Sequence, residues 1–219
     1  MWIVLLVLAI FAALIVAGRR RMLAHRYIDA YVFDASVGKR LREKHPGLTP
    51  EQHELARQGL RDFLHICRQA RLKGVSMPSQ AVDELWHDFI LSTRHYREFC
   101  RRAFGRYLHH HPAETMNSPT QATDGIRRAW QLACRREKID PKNPDRLPRL
   151  FALDAQLGIA GGFVYTLNCM GPALAGEAGS SSSYCASHIG CGSGCSAGCS
   201  SGCSSGCSGG DGGCGGGGD

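Results

Sequence analysis

The chain opens on a run with no charged side chain: Met1 to Gly18 is dominated by Ile, Leu, Val, Phe and Ala. As a helix at ~1.5 Å per residue this run would be about 27 Å long, close to the roughly 30 Å of a hydrocarbon core. A cleaved secretory signal begins with basic residues, whereas here the arginines come after the apolar run, at Arg19, Arg20 and Arg21. The pattern predicts a transmembrane anchor over residues 1–22. Positive charge at Arg19, Arg20, Arg21 and Arg26 predicts an outside N-terminus and a cytoplasmic remainder.

Beyond the anchor the apolar positions recur with helical spacing. Tyr27, Tyr31 and Ala35 lie four apart and predict a helix from Leu23 to about His45, closed by Pro46 and Gly47. Thr49, Pro50 and Gln52 spell a capping box with proline at the first helical position. Ala56, Leu60, Phe63, Cys67 and Ala70 then line one face as far as Gly74. A third helix is expected from about Pro78 to Gly105, with Val82, Trp86, Phe89, Thr93, Tyr96, Cys100 and Ala103 on one stripe. Ser118, Pro119 and Gln121 repeat the capping pattern before Ala122, Ile126, Ala129, Trp130 and Ala133, and Asp140 and Pro141 stop that helix. Four helices with short connections predict a small bundle over residues 23–142. Residues 143–175 read as a short accessory segment packed on it, with helical turns over Leu150 to Leu157 and a strand or packed loop over Gly158 to Cys169. From 176 to 219 the chain is Gly, Ser and Cys almost throughout, which buries too little apolar surface to offset the entropy of ordering it. The fold class is therefore mainly α: an N-terminal transmembrane helix, a small helical bundle and a disordered Gly/Ser/Cys-rich tail.

Charge and cysteine usage sharpen this picture. The formal net charge of +7 favours anionic lipid or acidic partners. No basic stripe interleaved with aromatics is present, which argues against nucleic acid. If the domain is cytoplasmic, its eleven cysteines meet a reducing milieu that leaves thiols available for metal chemistry. Cys191, Cys195, Cys199, Cys203 and Cys207 recur every fourth residue, and thiolates suit Zn or Cu(I). Structural zinc sites pair two short motifs across a longer loop, however, whereas this array is uniform, and a flexible extension with no dedicated ligand is the competing reading.

The densest chemistry lies between Val82 and Pro112. Asp83 and His87 are four apart and share a helix face, and Gly105 lets the chain fold back so that His110, in the run His109 to His111, can join them. Asp83, His87 and His110 are thus candidate metal ligands. The competing reading makes Asp83 a local capping group and packs His87 with Trp86 at a helix interface. Cys100, about 20 Å along a continuous helix, could not enter the same coordination sphere without a break. Glu84 and His87 form a single Glu-x-x-His pair, short of the two copies a di-iron bundle needs. Nucleophile-elbow, zincin and Walker motifs are missing, so no catalytic or cofactor-binding residue is assigned.

Asp83, Trp86, His87, Tyr96, Cys100, Phe104 and Gly105, followed by the His110 to Pro112 stretch, resemble the bacterial branch of the glycine-rich domain-containing proteins, which are related to plant glycine-rich domain proteins. Plant members often carry a second histidine two residues after the first, where this chain has Phe89. The resemblance implies a helical domain and no established activity. The functional expectation is a membrane-tethered interaction or scaffold protein whose helical domain binds a protein partner. The alternative is a thiol/histidine metal-binding or metal-sequestering protein.

Overall fold

The computed structural model describes residues 1–110, 119–167, 183–185 and 189. The chain is mainly helical. Its helices are α1 (Trp2–Ala30), α2 (Lys39–Lys44), α3 (Pro50–Ala70), α4 (Gln80–Leu91), α5 (Thr93–Phe104), α6 (Pro119–Glu137) and α7 (Arg149–Leu157), joined by strands β1 (Val164–Thr166) and β2 (Ser183–Cys185).

Helix α1 is long and apolar enough to cross a membrane, with a mean hydropathy of 2.5 in its most apolar window and nothing in that window buried. Among the described residues its C-terminal end meets the rest of the protein, where Ala24 and Ile28 are buried against α5 and α3. The helix expected over residues 23–45 is instead two. α1 runs unbroken into that span and stops at Ala30, because Tyr31 is extended and turns its ring onto Phe33, Phe89 and Phe99. Asp34 then accepts from the Ser36 amide. Gly38, at φ 98°, opens α2. The Asp88 carboxylate of α4 accepts from the Gly38 and Arg40 amides at 2.9 and 3.1 Å, serving as an N-cap supplied from another helix.

Helix α3 is the central strut, packed on α1, α4, α6 and α7. Its capping box forms with both bonds: Thr49 accepts from Gln52 N–H and the Gln52 side chain accepts from Thr49 N–H. Ala56, Leu60, Phe63, Cys67 and Ala70 are all buried, and the helix ends at Ala70. Gly59 sets the spacing here. A Cβ on it would lie 2.8 Å from Val82 Cγ2 and 2.9 Å from Leu153 Cδ2, so α3 meets α4 and α7 at a separation only glycine allows.

The single helix expected from Pro78 to Gly105 is also two. It starts at Gln80, capped by Ser79, and breaks at Ser92, which ends α4 and begins α5. Thr93 is exposed, although the stripe reading placed it inward. Phe89 and Tyr96 are buried on either side of the break. Seven residues, about two turns, separate them, so the apolar phase resumes after the break and the pattern conceals it.

The buried residues expected of α6, Ala129, Trp130 and Ala133, are in place, and Ile126 is half-buried. That helix ends at Glu137, ahead of Asp140 and Pro141. The Ser118 cap falls outside the described residues. Trp130 stacks edge-on against Phe151 of α7, which in turn meets Tyr165 of β1. β1 pairs in parallel with β2, Val164 opposite Ser183 and Thr166 opposite Cys185. At those three residues the expected disorder of the tail gives way to a strand. Cys191, Cys195, Cys199, Cys203 and Cys207 lie outside the described residues.

Candidate metal site

Three of the proposed ligands come together at one edge of α4. Asp83 and His87 lie one turn apart, and each of Asp83, His87 and His110 offers a ligand atom within 4.8 Å of the other two. His110 Nε2 lies 3.1 Å from Asp83 Oδ1. His87 Nδ1 lies 3.3 Å from Asp83 Oδ2 and 2.9 Å from the Asp83 carbonyl oxygen. With Nδ1–H donated to that carbonyl, the ring's lone pair is on Nε2, the arrangement by which a hydrogen bond orients a metal-binding imidazole. The two rings are 4.5 Å apart centre to centre. Zinc bonds of about 2.0–2.1 Å place neighbouring ligand atoms roughly 3.0–3.5 Å apart, a spacing the Asp83–His110 pair already has. The side chains of His87, Asp83 and His110 are 37%, 30% and 14% exposed, so the cluster opens to solvent on the His87 side. Three protein ligands would leave a coordination position open, as at catalytic rather than structural zinc sites.

The return of His110 to α4 is built by the residues between. Gly105 ends α5 at φ 72°, in the left-handed region where glycine is unstrained. The Trp86 indole N–H donates to the Tyr96 hydroxyl at 3.2 Å, and that hydroxyl donates to the Leu108 carbonyl at 2.6 Å. The Leu108 backbone and the Tyr96 hydroxyl both bond Cys100. The Trp86 ring lies edge to face with His110, 4.5 Å between centres. Trp86, Tyr96, Cys100 and Gly105 thus act as a latch that carries His110 to Asp83. Asp83 itself rides one turn into α4. That turn is held by Asp154 of α7, which accepts from the Ser79 hydroxyl and the Gln80, Ala81 and Phe163 amides.

The other candidates separate from this cluster. His109 is exposed beside the Tyr107 ring, and Glu84 is ion-paired to Lys44. The break at Ser92 removes the premise of a continuous helix, yet Cys100 still faces the core. Burial raises the thiols of Cys67, Cys100 and Cys134, the last to about 12, which makes all three poor nucleophiles.

A second polar cluster was missed by sequence reasoning. His65 is fully buried on α3, its ring stacked on His25 of α1 with 9° between planes. The two Nδ1 atoms are 3.0 Å apart, and His65 Nε2 lies 2.6 Å from Asp29 Oδ1. Arg136 of α6 bonds the buried Asp62 at 3.1 Å and reaches Asp29 at 4.0 Å. Arg149 also pairs with Asp62 at 3.3 Å. Burial is the main cause that lowers the His65 pKa, against the opposing pull of Asp29. The network ties the lower end of α1 to the core. No local signal marked it: by helix spacing His65 falls opposite the Ala56, Leu60, Phe63 and Cys67 face of α3, with Asp62 at that face's edge.

A protein-family model described as UCP032817-like matches residues 23–189. No curated protein and no solved structure matches the chain.

Proposed function

The chain belongs to the UCP032817-like family, and we propose that it is a membrane-anchored protein whose helical domain binds one divalent transition metal, zinc first among the candidates, through Asp83, His87 and His110. The observation that carries this reading is the convergence of two imidazoles and a carboxylate at ligand spacing, held by a latch whose hydrogen bonds run through the core residues Trp86 and Tyr96. The anchor is α1, and the arginines after its apolar run support a cytoplasmic domain. The motif from Asp83 to Gly105 supports placing the protein with the bacterial branch of the glycine-rich domain proteins. The tethered scaffold reading is the one left standing if the domain holds no metal.

The test is metal content by mass spectrometry on full-length protein purified anaerobically and dialysed against zinc. Wild type is compared with His87→Ala, His110→Ala, and a variant with Cys191, Cys195, Cys199, Cys203 and Cys207 all changed to Ser. One equivalent of zinc is expected in wild type and in the cysteine variant, and little in either histidine variant. Metal-free wild type, or zinc lost only with the cysteines, would overturn the assignment.

A further inference from the structure

At the foot of α1 lies a cavity of about 520 Å³: Arg21, Arg68, Arg71, Arg106 and Arg135 line it, and among the described residues no Asp or Glu does. These arginines come from four separate places, α1, the C-terminal end of α3, the turn after α5, and α6, so the fold and not a sequence run gathers them. Elsewhere many arginines are matched with carboxylates, although Arg42, Arg94, Arg97 and Arg128 stand singly at the surface without an ion pair among the described residues; what sets the cavity apart is that five converge. Arg40, Arg57, Arg61, Arg102, Arg127, Arg136, Arg146 and Arg149 all make ion pairs within 4.0 Å. Among the described residues none of the five cavity arginines does.

Gathering five like charges without compensation is unfavourable, and its effect is visible. Burial first, and the Arg21 charge second, push the Arg68 guanidinium below its ordinary value. Two of the five are held in place by backbone: Arg68 donates to the Ala103 carbonyl and Arg106 to the Arg71 carbonyl. Arg71 itself sits at φ 58°, ψ −107°, strained for a residue with a Cβ. A guanidinium has five N–H donors in a planar fork suited to phosphate oxygens. Arg68 uses one nitrogen in this way and Arg106 two, the second on the Tyr107 carbonyl, so both keep donors that the described hydrogen bonds do not use.

We propose that this cavity binds a phosphate-bearing anion. Its position favours the phosphate of a membrane lipid headgroup as the source. Arg21 lies three residues, about 4.5 Å of helix, beyond the uncharged run that ends at Gly18, which is the depth of the headgroup layer if α1 spans the bilayer. A soluble phosphate would use the same donors. Only the choice of source depends on the membrane reading of α1; the anion site does not depend on the metal site.

The experiment uses the full chain in an uncharged detergent, titrated calorimetrically with short-chain phosphatidic acid in the same micelles and, separately, with inorganic pyrophosphate. Arg21→Gln/Arg135→Gln removes two exposed arginines with no intramolecular ion pair, so folding is spared. Arg68→Gln removes a cavity arginine bound to backbone, and Arg94→Gln is an exposed control outside the cavity. Wild type is expected to take up one equivalent of at least one probe. The double variant and Arg68→Gln should bind it at least tenfold more weakly, and Arg94→Gln within about twofold. Tighter binding of phosphatidic acid identifies a lipid source and tighter binding of pyrophosphate a soluble one. No saturable binding of either probe, or equal binding by wild type and a double variant with an unchanged melting temperature, would overturn the proposal. Zinc content should be the same in all four proteins, which separates this outcome from failure of the metal site.

Discussion

Changing Tyr96 to Phe removes one oxygen atom and tests the latch that delivers His110. The hydroxyl accepts from Trp86 and donates to the Leu108 carbonyl, and Trp86, Tyr96 and Leu108 are 4%, 0% and 9% exposed. Phenylalanine leaves an indole N–H and a carbonyl without partners in a buried site, at about 1–3 kcal/mol each. The Leu108 carbonyl, nearer the surface, can turn toward water and recover part of this. The net loss is therefore about 2–4 kcal/mol. Because the turn from Gly105 to His110 is the least enclosed element involved, part of that loss should appear as opening of this turn, and each 1.4 kcal/mol so spent weakens zinc about tenfold. Urea unfolding gives the stability change and a competitive chelator titration gives the zinc affinity. A stable Tyr96→Phe protein, within about 0.5 kcal/mol of wild type and with unaltered zinc affinity, would refute the latch.

Asp154→Ala is the matched contrast: it strands the Ser79 hydroxyl and three amides and should cost about 3–5 kcal/mol in urea unfolding. A loss below about 1 kcal/mol would contradict the capping role. The buried His65 titrates below its unfolded value of about 6.5, so the unfolded chain takes up the proton first. Its contribution is complete above pH ~6.5 and is lost as pH falls toward the folded pKa, at no more than about 1.4 kcal/mol per pH unit. The geometry agrees: one proton fits between the facing Nδ1 atoms of His25 and His65, and a second would set two N–H groups against each other. Stability measured from pH 7.5 to 5.5 should fall more steeply for wild type than for His65→Gln, and parallel profiles would count against this account.

Local grammar made part of this legible in the sequence. Thr49, Pro50 and Gln52 act within one turn, and the expected cap forms with both bonds. Asp83 and His87 meet because a helix puts them there, and Gly105 marks where the chain could reverse to bring His110 back. The break at Ser92 was hidden because Phe89 and Tyr96 keep phase across it. Helix α2 was hidden because its N-terminal cap, Asp88, lies 50 residues away. The His25–His65 contact spans 40 residues and the Arg136–Asp62 pair 74. Periodicity reports which face of a helix is buried, not which distant helix covers it. The arginine cavity is the clearest case, since its members come from four places and read in sequence as scattered surface charge.

The segment from Gly105 to His110 ties these observations together. Arg106 faces the arginine cavity and His110 faces Asp83, four residues on, a reach of at most about 14 Å of chain. Helix α4 is anchored at its first turn by Asp154, while its own Asp88 grips the start of α2, so Asp83 and His87 sit on a fixed frame. His110 and Arg106 sit on a turn held by side-chain bonds to Leu108, by Arg106 to the Arg71 carbonyl and by the conformation of Gly105. Most residues that the family resemblance singled out fall on this division: Asp83 and His87 can hold a ligand, Trp86, Tyr96, Cys100 and Gly105 shape the turn, and Phe104 packs on Phe99 and lines the arginine cavity. The proposed site gives a reason for burying a Trp–Tyr–carbonyl chain, since a helix interface could have been closed with apolar side chains alone: the chain places His110 beside the two candidate ligands Asp83 and His87.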